Sequence, residues 1–221
     1  MPRLRTVERA GNENLSEQIA GVLRASLISG QMTPGVTYSV PALADEFGVS
    51  SMPVREAMLN LVQQGLMSPV RNKGFRVVEL SAKDLDDIMQ LRLLLEVPTT
   101  IAVSKDVTAS TMRDLRRIAR EIARHARQGE LVDYIEADRA FHQTLVALAC
   151  NPRLEELIDD LRSRSRLTGL DALAERGDLS ASAKEHVEML DAIAAGESAR
   201  LRALMERHIK HSRGIWAGLA E

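Results

Sequence analysis

The chain is short of several things at once. It has 1 cysteine, Cys150, so no internal disulfide can form and a reducing compartment, the cytoplasm, is expected. Only 3 Phe, 2 Tyr and 1 Trp occur in 221 residues, a scarcity that disfavours sheets against helices. No apolar run reaches the length of a membrane span, and no basic, apolar, small-residue leader opens the chain. Neither sign of charge dominates, with 29 Lys/Arg against 31 Asp/Glu. What remains is abundant Ala, Leu, Arg and Glu, the composition of helices.

The charge is unevenly spread. Residues 1–78 carry 8 Lys/Arg against 6 Asp/Glu, and the rest carry 21 against 25. A small basic excess therefore sits in the N-terminal part, which is weak evidence by itself for a nucleic-acid partner.

Residues 1–14 are polar, contain Arg3, Arg5 and Arg9, and read as a flexible arm. Leu15, Ile19, Val22, Leu23 and Leu27 then recur at helical spacing up to a stop at Gly30. A second helix is expected from the cap Ser39 to Phe47, a tight turn at Gly48, and a third helix from the cap Ser50 to Gly65. Leu66–Val70 and Phe75–Glu79 read as strands of a hairpin closed by Arg71-Asn-Lys-Gly74. Together, residues 15–79 have the layout of a winged helix-turn-helix, whose second helix enters a DNA major groove. On that layout Ser50, Ser51, Met52, Pro53 and Arg55 face base edges or phosphate, and Arg71, Asn72 and Lys73 form the wing tip.

Beyond Leu80-Ser81 no strand signal appears. Ser81-Ala-Lys-Asp84 resembles a capping box, and residues 82–217 read as an all-helical domain of six helices, about 82–105, 108–128, 130–149, 152–173, 180–195 and 197–217. The fold class is thus mainly α, a winged helix-turn-helix followed by a six-helix bundle. All 5 histidines lie in the second part. Asp138 and His142 stand at i and i+4 on one helix face, and His186 and His208 lie on two further helices. Spacing leaves two readings open. Three imidazoles and a carboxylate can converge on a divalent metal, or each can be satisfied locally, with Asp138 capping its helix or pairing with Arg139. His125 and His211 lie in basic, polar surroundings and are given no site role.

The stretch Gly48-Val-Ser-Ser-Met-Pro-Val-Arg-Glu-Ala-Met58, with Gln64-Gly-Leu66 and Asn72-Lys-Gly-Phe75, resembles the GntR family of bacterial transcription regulators. Residues 84–212 resemble the FCD effector domain of its FadR subfamily, in the six-helix VanR-like branch. The matching stretches are Leu91-Arg-Leu-Leu-Leu-Glu96, Asp138-Arg-Ala-Phe-His142, Asn151-Pro-Arg-Leu154, Glu185-His186 and Met205-Glu-Arg-His-Ile209. The resemblance implies a divalent metal, Zn, Ni or similar, on Asp138, His142, His186 and His208. It also implies a small organic acid effector at that metal, with Arg92 as its carboxylate clamp, and a homodimer on a pseudo-palindromic operator, acting as a repressor, with no membrane partner. Two positions depart from the family pattern. Relatives carry DNA-contacting arginines where this chain has Pro41 and Ser51, neither of which offers a bidentate fork. Two other functions remain open: a metal-dependent hydrolase or lyase with an accessory winged domain, and an effector-independent DNA binder with a structural metal.

Overall fold

The computed structural model describes residues 15–28, 30–165 and 179–216. The expected arm at 1–14, the helix end at 166–173 and the loop at Gly177 fall outside the described residues.

Two hydrophobic cores organise the chain. The first is built on α1 (Leu15–Ile28), α2 (Val40–Phe47) and α3 (Ser51–Gln63), whose buried faces supply Ile19, Leu23, Leu43, Phe47, Val54 and Leu61. Ser39 caps α2 through its hydroxyl, which accepts from the Ala42 N–H, and Gly48 closes that helix at φ 66°. Ser50 holds the capping position of α3 in extended backbone, but its side chain makes no capping hydrogen bond.

A hairpin of β2 (Met67–Val70) and β3 (Gly74–Val77) follows, with Met67 opposite Val77 and Val70 opposite Gly74. The sheet has a third strand that the sequence pattern does not announce. β1 (Thr37–Tyr38) pairs antiparallel with the far edge of β3, giving the order β1-β3-β2. Two residues are too few to show an alternation, so this strand exists only because β3 offers it an edge. At Gly74 the chain runs so close to Tyr38 that a Cβ would stand 2.1 Å from the Tyr38 carbonyl oxygen.

The second core belongs to six helices among the described residues. They are α4 (Ala82–Val103), α5 (Ala109–Gln128), α6 (Leu131–Val146), α7 (Pro152–Ser165), α8 (Leu179–Ala195) and α9 (Ser198–Trp216). The capping box at Ser81 is present in full: its hydroxyl accepts from the Asp84 N–H and the Asp84 carboxylate accepts from the Ser81 N–H. Single 3-10 turns, Ser104–Asp106 and Ala147–Ala149, finish α4 and α6. α5 is the amphipathic wall, with Leu115, Ile118, Ala119 and Ile122 buried against α6 and α8. α4 lies against α9 and α7 instead, and it carries polar groups inward: Arg92, Glu96 and Thr100 are all buried. A bundle that buries an arginine and a glutamate must answer their charges inside itself.

Candidate metal centre and DNA-reading surface

α6, α8 and α9 bring Asp138, His142, His186 and His208 into the middle of the bundle, all four buried. The i, i+4 spacing on α6 stacks the Asp138 carboxylate and the His142 ring on one face. Phe141 meets His142 and His186 edge-on, at centroid distances of 5.2 and 4.8 Å, and wedges their rings in place. One donor atom from each of the four residues lies within 4.8 Å of the others.

Asp138 Oδ1 is the hub. It stands 3.0 Å from His186 Nε2 and 3.8 Å from both His142 Nε2 and His208 Nε2. The other nitrogens of two rings are already committed. His186 Nδ1 lies 3.1 Å from the Ser182 carbonyl, which only accepts, so that nitrogen carries the proton. His208 Nδ1 donates in the same way to Glu185 Oε2 at 2.9 Å. The Nε2 atoms of both rings are thereby left to face the Asp138 carboxylate, with His186 Nε2 within hydrogen-bond distance of Oδ1. A ring nitrogen and a carboxylate oxygen 3.0 Å apart share either a proton or a cation. His142 Nε2 is buried with no hydrogen-bond partner, which points the same way.

These residues fit a divalent ion. Donors about 2.1 Å from a metal stand roughly 3.0–4.2 Å apart around an octahedron, the separations that Asp138 makes with the three rings. The protonation states fit as well. Burial, with the nearby Arg162 charge, holds His142 well below its ordinary value. Burial brings His208 down to about 4 against the opposing pull of Glu185. Neutral imidazole with one carboxylate and no thiolate suits Zn, Ni, Co, Mn or Fe(II).

Two carboxylates outside the set support it, and both lay unremarked as site residues in the sequence. Glu185 sits beside His186 in the chain but serves His208, while also accepting from Arg207 Nε at 2.8 Å and His211 Nδ1 at 3.0 Å. Burial would raise its carboxyl, but these donors bring it down to about 2. His211 thus does have a structural partner. Glu96 on α4 accepts from Arg92 Nε at 2.6 Å and from Arg162 Nη1 at 2.5 Å. Burial would raise it too; the two guanidiniums override that and keep it ionised. Arg162 in turn donates through Nη2 to Asp138 Oδ2 at 2.8 Å. The partner of Asp138 is therefore Arg162, 24 residues away, whereas Arg139 makes a two-point contact with Asp159 at 2.7 and 2.6 Å.

Arg92, expected near an effector, is buried beside the cluster with its Nε on Glu96 and its Nη1 3.4 Å from Ser165 Oγ. Arg162 also lines a cleft of about 500 Å³ between α6 and α7, with Gln143, Thr144, Ile158 and Asp159. A second group, His125, Glu130 and Asp133, lies near the surface, where His125 Nδ1 meets Glu130 Oε2 at 2.6 Å and Arg124 meets His125 Nε2 at 2.9 Å.

On the N-terminal domain, Ser50, Ser51, Met52 and Arg55 are exposed at the start of α3, and Pro53 is half-buried. Arg71, Asn72 and Lys73 are exposed at the wing tip, where Asn72 takes a left-handed φ of 57°. Pro41 is exposed near the start of α2.

A winged helix-turn-helix joined to a helical bundle with a buried His/Asp cluster defines a two-domain DNA-binding regulator. The chain belongs to the GntR family of bacterial regulatory proteins: that family's profile matches residues 15–77, and the FCD domain matches residues 87–211. It is a DNA-binding transcriptional regulator of the GntR/FCD type, and its relatives are regulators, not enzymes. It is 28% identical over 175 residues to the HTH-type transcriptional regulator McbR of Escherichia coli (79% of this chain, 78% of that one). It is 26% identical over 214 residues to the HTH-type transcriptional regulator LutR of Bacillus subtilis (87% and 97%). The solved structure of E. coli McbR/YncC superposes with a TM-score of 0.79 over 93% of this chain and 98% of that one, at 24% identity, a likeness of fold. Among the described residues no helix is long and apolar enough to cross a membrane.

Proposed function

We propose that this protein is a repressor whose grip on its operator is set by a small carboxylate bound at a divalent metal on Asp138, His142, His186 and His208. The observation that carries this reading is the hub itself, a buried carboxylate oxygen 3.0 to 3.8 Å from three imidazole Nε2 atoms, of which that of His142 has no hydrogen-bond partner. Zn or Ni suits that donor set, and four protein ligands leave open positions on an octahedral ion for an organic acid. The acid is drawn by Arg92 and Arg162, two buried guanidiniums, with Arg92 as the first candidate to hold its carboxylate.

DNA recognition is assigned to Ser50, Ser51, Met52, Pro53 and Arg55 on α3 and to Arg71, Asn72 and Lys73 on the wing. Two copies of the winged domain on a pseudo-palindromic operator require a homodimer. A stripe on α4 supports one: Leu91 and Leu94 are 46% and 64% exposed, with exposed Pro98 a turn further on. A regulator that reads chromosomal DNA works in the cytoplasm. The units assigned are 15–79 for DNA and 82–217 for the metal and effector, behind an arm at 1–14.

Genome-wide mapping of binding sites supplies the operator, and the neighbouring genes suggest the acid. Thermal unfolding with and without chelator, across a panel of small carboxylates, then tests the site. Stabilisation by metal and further stabilisation by one acid, with release from the operator, is expected. Stabilisation by metal with no response to any acid would leave the metal a structural role and overturn the effector.

A further inference from the structure

Two helices that carry residues of the buried cluster or its ties, α6 with Asp138 and His142 and α7 with Arg162, also approach the DNA-reading domain. α1 lies against α6, and Arg24 of α1 is within electrostatic reach of Glu136 and Arg139 on α6 and Asp159 on α7. Arg24 also donates to Gln64 Oε1 at 3.2 and 3.3 Å, at the end of α3. Next to it, Gly65 faces Arg164 of α7 so closely that a Cβ on Gly65 would lie 2.4 Å from Arg164 Nε. The Arg164 guanidinium is itself held, by Asp160 Oδ1 at 3.0 Å one turn back. The recognition helix therefore ends against a braced arginine.

Two residues before Arg164 is Arg162. Residues two apart on a helix point to nearly opposite faces. Arg162 accordingly looks inward, its guanidinium shared between Asp138 Oδ2 and Glu96 Oε2, and Arg164 looks outward to Gly65. Asp138 is also the hub of the four donor atoms. Any change of charge beside Asp138 acts on the Arg162 guanidinium: a cation repels it, and an anion attracts it, at a depth where water screens little.

We propose that α7 is the strut that couples the buried cluster to DNA reading, with Arg162 sensing charge at Asp138 and Arg164 holding the end of the recognition helix at Gly65. This rests on the metal-site reading above and adds the route by which the site is heard. A route of this kind needs an element whose position both sites bias, and the last turn of α7 presents one arginine to each, on opposite faces. The coupling can be no larger than the difference in affinity of the site's occupant for the two positions of α7.

Zn2+ alone is the probe, and backbone amide exchange of the full chain is the readout. Zn2+ is expected to change exchange across residues 60–66 in the native protein. In Arg164→Ala those amides should exchange faster from the outset and should no longer respond, while calorimetry shows Zn2+ affinity retained because the cluster is untouched. Asp160→Asn, which frees the Arg164 side chain from its brace, should behave as a weaker version. If Zn2+ binds and residues 60–66 do not respond, or respond equally in Arg164→Ala, the strut is wrong and the metal site stands. If Zn2+ does not bind, or binds His142→Ala as tightly, the metal-site reading falls and this inference falls with it.

Discussion

Arg162 and Asp138 are joined through Nη2 and Oδ2 at 2.8 Å, and that bond decides which way the carboxylate faces. With Oδ2 taken, Oδ1 is left for His142, His186 and His208. A charge-assisted bond of this kind is short and directional, and it pre-sets the one anionic donor of the cluster. The first expectation concerns the donors themselves. His142→Ala and His208→Ala should each reduce bound metal from stoichiometric to a small residue, read by elemental analysis of protein equilibrated with Zn2+ or Ni2+. They should also abolish the rise in melting temperature that metal confers, since a ligand that binds only the folded form stabilises by mass action. Full metal content in both variants would remove the site from these residues.

Glu185 touches no donor atom of the hub, yet it sets which nitrogen of His208 faces inward. Glu185→Ala should lower metal affinity about 10–100-fold, the usual cost of losing such an orienting partner. Glu185→Gln keeps an acceptor for the His208 N–H and should recover much of the loss. Equal affinities across the three proteins would make Glu185 a packing residue only. Because Arg207 and His211 also donate to it, thermal melts of the metal-free variants separate any general destabilisation from the metal effect.

What was legible in the sequence is what depends on near neighbours in the chain. Asp138 and His142 stand one turn apart on α6, so their shared face follows from the helical period alone. The partners of Glu96, Glu185 and Arg162 were not legible, because they stand 66, 23 and 24 positions away. Ser39 and Ser81 announced their helices because a cap is a local bond within three residues. β1 was missed for the opposite reason, since its two residues are a strand only against β3. Arg92 carries the same lesson: its place between leucines suits a surface helix equally well, and only the packing of α4 against α7 and α9 buries it.

Acid should destabilise the metal-free protein in a defined window. In the unfolded chain a histidine takes up its proton near 6.5, but burial holds folded His208 down to about 4 and His142 well below its ordinary value. The folded form therefore binds fewer protons between those limits, and stability that is full above pH 6.5 is lost as pH falls toward 4. With about 1.4 kcal/mol per pKa unit, His208 alone accounts for roughly 3 kcal/mol. Glu185, lowered to about 2, adds a further loss as pH falls from 4.5 to 2. Denaturant midpoints measured from pH 7.5 to 4.5 should fall steadily in the native protein and less steeply in His208→Gln, where His142 still contributes. A flat profile in the native protein would mean that these rings are not buried neutral.

The wing depends on one backbone approach. Gly74 sits at φ 124°, and a Cβ there would meet the Tyr38 carbonyl oxygen at 2.1 Å, inside the β1–β3 pairing. Main chain cannot swing aside as a side-chain tip can, so Gly74→Ala should part β1 from β3 as well as strain the turn. The expected result is a lower melting temperature for the DNA-reading domain and loss of DNA affinity, with metal binding to the helical bundle unchanged. Ala tolerated at Gly74 without either effect would show that β1 is dispensable.

DNA recognition should divide cleanly between Arg55 and the wing. Arg55 is exposed near the start of α3, and neither Ser51 nor Pro41 offers the bidentate fork of an arginine. Arg55→Ala should therefore cost about 1–3 kcal/mol of discrimination at one operator position, read by binding-site selection before and after substitution. Lys73→Ala should instead weaken binding to all sequences alike and reduce the salt slope by about 1, as loss of a phosphate contact does. The native protein itself should select an operator unlike that of a regulator with arginine at positions 41 and 51, since Pro41 and Ser51 offer no such fork. Recovery of that regulator's operator at ordinary affinity would mean that Ser51 and Pro41 lie off the DNA, and the docking of α3 would have to be redrawn around Arg55 alone.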